Sequence, residues 1–142
     1  MFTTRPSVDQ DYQFLFELKK ASEYQAIDSI FGWDEQTQKE IHRQEWQQAR
    51  PIIVEIDGVR VGSFLVQAHI EYWYFGRFFL LPTVQGKGIG TKILSDVIAN
   101  AAQAQMPLRL CYLQGNRVGE LYRRLGFKQV SQDQHFVYMI KD

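Results

Sequence analysis

The feature that most constrains the fold of this chain is a glycine-rich stretch, Gln85-Gly86-Lys87-Gly88-Ile89-Gly90. The apolar run Phe75 to Leu81 before it predicts a strand, and the apolar spacing from Thr91 to Gln105 predicts a helix. The glycines allow a tight turn and a close approach of ligand to backbone. The first N–H groups of the helix point into this turn with the positive end of the helix dipole. The sequence therefore predicts an anion site, suited to a phosphate or pyrophosphate.

Three kinds of phosphate loop have similar glycine spacing. A Walker loop needs Ser or Thr after its lysine, where this chain has Gly88. A dinucleotide-binding turn needs a third glycine at Thr91 and an acidic residue about twenty positions further on; both are absent, which disfavours a nucleotide-binding domain. The third pattern, Gln/Arg-x-x-Gly-x-Gly, fits Gln85, Gly88 and Gly90. This stretch resembles the acetyl-CoA pyrophosphate loop of the GNAT superfamily of N-acetyltransferases.

A second segment, Asn116 to Phe127, resembles the GNAT pattern Asn-x-x-Ala-x-x-x-Tyr-x-x-x-Gly-Phe to within one position. The resemblance implies that Asn116 binds the pantetheine arm and that the Tyr122 hydroxyl lies near the thioester sulfur, where it protonates the departing thiolate. Asn116 has donor and acceptor groups for an amide-rich ligand. Gly119 replaces the family's small alanine, which costs about 1 kcal/mol in helix propensity and would let the cofactor pass close. A plain helix cap and a core aromatic are the alternative roles of Asn116 and Tyr122.

The resemblance implies transfer of an acetyl group from acetyl-CoA to a primary amine by direct attack in a ternary complex, without a metal. A non-catalytic module that binds an acyl-CoA as a sensor or interaction partner is the alternative. The pantetheine arm would lie between the strands Tyr72–Leu81 and Leu108–Leu113, and a backbone N–H there would support the oxyanion. The expected cofactor-binding residues are Phe79, Leu80, Leu81, Gln85, Gly86, Lys87, Gly88, Ile89, Gly90, Thr91, Asn116, Gly119 and Tyr122.

Acetyl transfer also requires a neutral amine. An alkyl amine with a pKa of about 10.4 costs about 4.6 kcal/mol to deprotonate at pH 7, so a base should help. Some GNAT branches have a carboxylate five residues before the motif asparagine, where this chain has Cys111. Cys111 is better interpreted as a small buried hydrophobe. Glu71, at the start of the aromatic strand, is the first candidate base; Asp34 and Glu35 follow, and a solvated surface carboxylate is the competing interpretation for all three.

The acceptor site is expected beside Trp33-Asp34-Glu35, because the loop between the first two helices commonly borders that site in the family. Tyr74, in the aromatic strand, would line the pocket, where a cationic amine favours ring faces. Arg77 would pair with an acceptor carboxylate or extend along its stem to water. The three histidines have no recognisable partners and are expected at the surface: His42, His69 and His135.

Composition indicates an ordinary globular protein. The 142 residues, 45% hydrophobic and 23% charged, predict one domain over residues 1–142 with a sizeable core. Sixteen basic and sixteen acidic residues cancel, which argues against a nucleic-acid partner. No signal peptide or membrane-length apolar run is present, and a single cysteine cannot form an internal disulfide, so we predict a cytoplasmic protein without a membrane partner. We expect a small-molecule or peptide amine acceptor, and a monomer or homodimer.

The predicted order of elements is β-α-α-β-β-β-α-β-α-β-β, which matches the GNAT fold from end to end. It gives an α/β (α+β) fold, a mixed sheet of six to seven strands flanked by about four helices. The first helix, Val8–Tyr24, would be capped by Ser7 or Asp9, and Ala26–Trp33 would be less regular. Asp34 would cap a second helix. Asp57-Gly58 would form a hairpin turn, and Gly76 indicates a bulge or a close backbone approach in the aromatic strand. The other predicted ranges are strands Phe2–Arg5, Ile52–Ile56, Val59–Gln67, Phe127–Val130 and Phe136–Ile140, and helices Glu35–Ala49, Gly88–Gln105 and Asn116–Leu125.

Overall fold

The computed structural model describes residues 1–142 and confirms the predicted order of elements. Seven strands form one mixed sheet in the order β1-β2-β3-β4-β5-β7-β6, in which β4 and β5 run parallel. The strands are β1 Thr3–Pro6, β2 Ile52–Ile56, β3 Val59–Ala68, β4 Trp73–Leu80, β5 Leu108–Leu113, β6 Lys128–Gln132 and β7 Phe136–Lys141. The helices are α1 Tyr12–Phe31, α2 Glu35–Gln48, α3 Ile89–Gln103 and α4 Val118–Arg124.

The chain divides into two compact units. The first, here the N-terminal unit, comprises Met1–Leu65 and Arg77–Gln85; the second, the C-terminal unit, comprises Val66–Gly76 and Gly86–Asp142. Helices α1 and α2 belong to the N-terminal unit and α3 and α4 to the C-terminal unit. Strands β3 and β4 each contribute residues to both units.

Helix α1 is longer than the sequence predicted. It continues through the segment expected to be irregular and ends at Phe31, where Gly32 takes a positive φ of 76°. Burial explains the extension, because Ile27 is only 4% exposed and prolongs the apolar side of the helix. The predicted caps are also wrong. Neither Ser7 nor Asp9 caps the start of α1. The Asp11 carboxylate instead accepts a hydrogen bond of 2.8 Å from the Val8 N–H.

Asp11 is the centre of a buried charge network in the N-terminal unit. Its carboxylate is 1% exposed and accepts two hydrogen bonds from Arg5, at 2.8 and 3.0 Å, and one from Arg60 at 3.2 Å. Arg5 also donates to Glu55 at 3.1 Å. Hydrogen bonding from Arg5 is the main cause that lowers the pKa of Asp11 to about 2, against the opposing effect of burial. The network joins the start of α1 to β1 and β3.

Helix α2 begins as predicted, because Asp34 accepts a hydrogen bond of 2.9 Å from the Thr37 N–H. The expectation that His42 lies at the surface is wrong. Its ring is 7% exposed, packs 4.5 Å from the Tyr12 ring, and places Nε2 2.8 Å from the Tyr12 carbonyl oxygen. Burial lowers the pKa of His42. Of the other two histidines, His69 is exposed and His135 is half-buried.

The hairpin turn predicted between β2 and β3 is confirmed. Asp57 and Gly58 both have positive φ, 51° and 78°, as a two-residue type I′ turn requires. Gly76, which predicted a bulge or close approach in the aromatic strand, precedes Arg77 with a φ of 47°. A Cβ at Gly76 would lie 2.9 Å from the Tyr74 ring, so only glycine fits beside that ring.

The core of the N-terminal unit aligns α1 with the end of β4. Leu15, Leu18 and Ile53 are almost fully buried. Phe79 and Leu81 pack against this group, together with Phe14 and Trp46. In the C-terminal unit, α3 buries one apolar face made of Ile89, Ile93, Leu94, Val97 and Ala101. Each core fixes the elements of its own unit.

Candidate active site

The glycine-rich loop is open on its ligand side. Gly86 and Gly88 have φ values of 77° and 82°, and a Cβ at either position would meet no atom within 4 Å. Gly88 is the N-cap of α3, and its carbonyl accepts the first helical hydrogen bond, from the Lys92 N–H at 3.0 Å. The N–H groups of the first helical turn before Lys92 have no helical acceptor. This geometry suits a phosphate or pyrophosphate.

Gln85, the first residue of the loop motif, belongs to the N-terminal unit. Its side-chain Nε2 donates a hydrogen bond of 2.9 Å to the carbonyl oxygen of Leu80. A short 3₁₀ turn, Pro82–Val84, separates these two residues. Gln85 therefore fixes the connection between the end of β4 and the glycines that follow.

Along the end of β4, the backbone N–H and C=O groups of successive residues point alternately toward β3 and away from it. The Leu81 N–H donates to the Val61 carbonyl at 2.8 Å, and a Cβ at Gly62 would lie 2.7 Å from the Phe79 carbonyl oxygen. Phe79 and Leu81 thus face β3. Because successive residues alternate, Leu80 directs its N–H and C=O away from β3. Among the three residues expected to pair with a pantetheine arm, Leu80 directs its N–H away from β3, and its carbonyl accepts the Gln85 hydrogen bond.

Strand β5 is paired on one side along its whole length and on the other side only at its start. Its register with β7 runs from Leu108 to Leu113. Its register with β4 contains two pairs, Trp73 with Leu108 and Tyr74 with Arg109. Beyond Arg109, the edge of β5 opposite β7 has no strand partner. An extended ligand could pair with such an edge, as the resemblance to the GNAT fold implies.

Asn116 lies at the entrance to α4, which begins two residues later than predicted. Its side-chain Oδ1 accepts a hydrogen bond of 3.0 Å from the Val118 N–H. This contact closes a turn just before the helix, whose N-cap position is Arg117, so Asn116 is not the plain helix cap considered from sequence. The side-chain amide nitrogen is not used in this contact, and it remains a donor for a ligand amide.

Tyr122 belongs to a buried aromatic cluster in the C-terminal unit. Its side chain is 4% exposed, and its ring centroid lies 5.8 Å from those of both Tyr112 and Phe127. The packing role considered from sequence is thus real. It holds the ring in one place, which is also what a residue that donates a proton to a fixed leaving group requires.

Glycine is required at position 119 by a contact that the sequence did not reveal. A Cβ at this position would lie 2.4 Å from the Tyr112 hydroxyl oxygen. That hydroxyl also accepts a hydrogen bond of 2.8 Å from Arg123 Nη2. The space that a small residue leaves in α4 is therefore filled by Tyr112, whereas we expected it to admit the cofactor. Glycine in place of the family's alanine was the only sequence signal for this contact.

The carboxylates of the α1–α2 turn are held by protein groups. Glu35 Oε1 accepts hydrogen bonds from Trp33 Nε1 at 2.8 Å and from Lys20 Nζ at 3.0 Å, and the Trp33 bond is the first cause that lowers the pKa of Glu35. Asp34 accepts hydrogen bonds from the backbone and the hydroxyl of Thr37, which lower its pKa. Both side chains shape the turn and the start of α2.

Arg77 has a role that differs from both sequence alternatives. Its Nη1 donates to the carbonyl oxygens of Glu45 at 2.9 Å and Ala49 at 2.6 Å, at the C-terminal end of α2. Its Nε lies 3.7 Å from the Glu45 carboxylate. A guanidinium suits this position, because the last carbonyl oxygens of a helix lack N–H donors from a following turn and the helix dipole is negative there.

The two remaining candidates lie in the C-terminal unit. Glu71 is exposed in the bend before β4. The Tyr74 hydroxyl lies 3.1 Å from the sulfur of Cys111, which is half-buried. Burial, followed by the hydrogen bond with Cys111, raises the pKa of Tyr74, so its phenol stays protonated. No group of three or more His, Cys, Asp or Glu side chains is arranged to hold a metal, and no helix combines the length and apolarity needed to cross a membrane.

A family model described as an acetyltransferase (GNAT) domain matches residues 47–129, more than half of the chain and the range that contains both motifs and β2 to α4. The chain belongs to the GNAT acetyltransferase family. No curated protein sequence matches this GNAT chain.

Solved GNAT structures share the fold at low sequence identity. The Thermoplasma acidophilum PaiA N-acetyltransferase, in complex with coenzyme A, is 19% identical with a TM-score of 0.78, covering 100% of this chain and 99% of its own. A Brucella melitensis GNAT acetyltransferase in complex with acetyl-CoA is 20% identical with a TM-score of 0.64, covering 99% and 87%. The Escherichia coli ribosomal-protein-S18-alanine N-acetyltransferase is 15% identical with a TM-score of 0.71, covering 99% and 92%.

Proposed function

We propose that this GNAT protein transfers the acetyl group of acetyl-CoA to a primary amine by direct attack within a ternary complex. The observation that most supports the proposal is the open loop at Gly86 and Gly88, where left-handed backbone and empty space leave the first N–H groups of α3 accessible to an anion. The pyrophosphate of acetyl-CoA binds there, and Gln85 and Lys87 flank it.

The pantetheine arm extends along the unpaired edge of β5. The Asn116 side-chain amide nitrogen supplies a hydrogen bond of the kind that an amide-containing arm requires. Gly119 takes no direct part, because Tyr112 occupies the space above it. The Leu80 N–H, directed away from β3, stabilises the oxyanion that forms on the thioester carbonyl.

The reaction needs two protons to leave the acceptor nitrogen. The ammonium loses the first, and the neutral amine attacks the thioester carbon to form the C–N bond. The second is lost from the tetrahedral intermediate as the C–S bond breaks. Tyr122 gives its hydroxyl proton to the thiolate and recovers the second proton, so that one proton reaches solvent overall.

The acceptor approaches from the side of the α1–α2 turn, where Trp33 supplies a ring face. Asp34 and Glu35 maintain the form of the turn, because both are engaged in hydrogen bonds.

The test is release of free CoA thiol when purified protein, acetyl-CoA and a panel of primary amines are mixed. Cys111 is the only cysteine and gives a fixed background of one thiol per chain. We expect amine-dependent thiol release together with an acetylated amine detected by mass spectrometry. Saturable acetyl-CoA binding without thiol release across the panel would overturn the proposal in favour of an acyl-CoA sensor.

A further inference from the structure

A side-chain bridge in the C-terminal unit lies at the point where β4 and β5 stop pairing. The last pair of their parallel register is Tyr74 with Arg109. The Tyr74 hydroxyl oxygen nevertheless lies 3.1 Å from the sulfur of Cys111, two residues further along β5. Two residues of strand correspond to about 6.6 Å. The Tyr74 side chain therefore leans forward from the last pair, over the start of the unpaired edge of β5.

Gly76 shows the same lean of the Tyr74 ring by an independent contact. It follows Tyr74 by two residues, so both lie on one face of β4. A Cβ at Gly76 would lie 2.9 Å from the Tyr74 ring, so the ring covers the space that a side chain there would need. Glycine on β4 and the short side chain of Cys111 on β5 leave Tyr74 as the bulky group at this point of the sheet.

A second tyrosine lies beside Cys111 on the side away from β4. Tyr138 of β7 is the register partner of Cys111, so the two side chains are neighbours on one face of the sheet. The Tyr138 hydroxyl donates a hydrogen bond of 2.7 Å to the Asp133 carboxylate, which fixes the direction of that ring. Three strands thus contribute to one row of side chains, here called the tyrosine row: Tyr74, Cys111 and Tyr138.

The direction of the pantetheine arm brings its acyl end toward this row. The pyrophosphate is placed at Gly86 and Gly88, before the first turn of α3, in the proposed function. Helix α3 connects the parallel strands β4 and β5 and ends at Gln103, just before β5 begins at Leu108. A crossover helix runs antiparallel to its strands, so the start of α3 lies toward the C-terminal end of β5. An arm that enters there and follows the unpaired edge carries its acyl group toward the tyrosine row.

We propose that the Tyr74 ring limits the length of the acyl group that the protein accepts from its donor; this assignment rests on the proposed function. The ring closes the end of the unpaired edge of β5, so an acetyl group fits and a longer linear acyl chain meets the ring. The ring cannot retreat, because the Gly76 backbone lies under it and its hydroxyl contacts Cys111. Tyr74 determines donor specificity and takes no part in making or breaking bonds.

The kinetic test compares acetyl-CoA with butyryl-CoA, using the most reactive amine of the panel at a fixed concentration. We expect wild-type kcat/KM to favour acetyl-CoA by about a hundredfold or more, because two extra methylenes do not fit. Tyr74→Leu should reduce this ratio to within about tenfold. The matched control is Tyr72→Leu, since Tyr72 is also half-buried on β4's face but packs on Arg109, 4.4 Å from its ring. Equal ratios in the two variants would overturn the assignment.

A second measurement does not depend on turnover. Calorimetric titration compares S-ethyl-CoA with S-butyl-CoA, unreactive thioethers with the chain lengths of the two acyl groups. We expect the wild type and Tyr72→Leu to bind S-ethyl-CoA at least tenfold more tightly, and Tyr74→Leu to bind both with similar Kd.

The wild-type comparison needs no substitution, so it decides the matter even if Tyr74→Leu fails to fold. If the binding preference follows Tyr74 but no amine is ever acetylated, the proposed function fails while the length limit stands. If acetyl transfer occurs and the wild type binds both thioethers equally, the length limit fails while the function stands.

Discussion

At the scale of single residues, two tyrosines of the same buried cluster have different tasks. Tyr122 is proposed to act on the leaving thiolate, whereas Tyr112 fills the space above Gly119 and is held by Arg123. Both are almost fully buried, so removing a ring would disturb packing as well as chemistry. Tyr122→Phe, which removes only the hydroxyl oxygen, and Gly119→Ala, which adds only a Cβ next to Tyr112, distinguish the two tasks.

Tyr122→Phe retains the ring and removes the hydroxyl. Because a thiol with a pKa of about 8.5 is a fair leaving group, we expect kcat to fall by about a hundredfold, the lower end for general acid catalysis. Acetyl-CoA affinity and the free energy of unfolding should change little. Steady-state kinetics, calorimetric titration and urea unfolding on one preparation measure all three. A kcat that stays near the wild-type value while chemistry is rate-limiting would make Tyr122 a packing residue only.

Gly119→Ala introduces the Cβ that would lie 2.4 Å from the Tyr112 hydroxyl. Overpacking of this kind typically costs about 1–3 kcal/mol, against a gain of about 1 kcal/mol in helix propensity. We expect net destabilisation in urea unfolding. In a Tyr112→Leu background the clash is absent, so the same substitution should stabilise the protein. Destabilisation of equal size in both backgrounds would show that Tyr112 is not the cause.

At the scale of elements, the connection from β4 through the loop to α3 combines an exposed turn with a buried helix face. Gly88→Val adds a side chain in the open space over the first turn of α3 and imposes left-handed strain of about 1–2 kcal/mol. We expect loss of acetyl-CoA binding, and with it loss of the roughly 2.7 kcal/mol of stabilisation that a hundredfold excess of ligand over its Kd provides. Thermal melts with and without acetyl-CoA measure this.

Gly58→Val is the matched control for strain. Gly58 has a φ of 78° and equally empty surroundings, but it lies in the β2–β3 turn. It should lose similar intrinsic stability and keep the full acetyl-CoA shift. If Gly88→Val keeps that shift as well, the glycine-rich loop is only a connector.

The helices, strands and turns differ in how well the sequence predicted them. The Asp57-Gly58 turn, the Asp34 cap and the strand Leu108–Leu113 were predicted because each depends on residues adjacent in the chain. The length of α1 was underestimated because Ile27 is buried by tertiary packing that periodicity does not contain. The Tyr112–Gly119 contact depends on two elements meeting, and no local pattern reports it. The two motifs, by contrast, indicated the donor site because ligand-binding backbone is specified by contiguous residues.

At the scale of the whole molecule, acid sensitivity should depend strongly on Asp11. Its pKa is lowered from 3.8 to about 2, so its contribution to stability is fully present above pH 3.8 and is lost as pH falls through about 2. The shift corresponds to about 2 kcal/mol. Urea unfolding between neutral and acid pH should show this loss in the wild type and not in Asp11→Asn. The same pH dependence in both proteins would contradict the prediction.

The hydrogen bonds of Arg77 have a practical consequence for changing which amines the protein accepts. Residue 77 is an attractive choice for a mutant library, since Arg77 was a sequence candidate for contact with the acceptor, but its guanidinium secures the end of α2. Most substitutions in such a library would impair folding, so few variants would accept a new amine, whichever amine was tested. Diversity at Trp33 would keep the Arg77 hydrogen bonds to the end of α2 and would remove one hydrogen bond, from Trp33 Nε1 to Glu35.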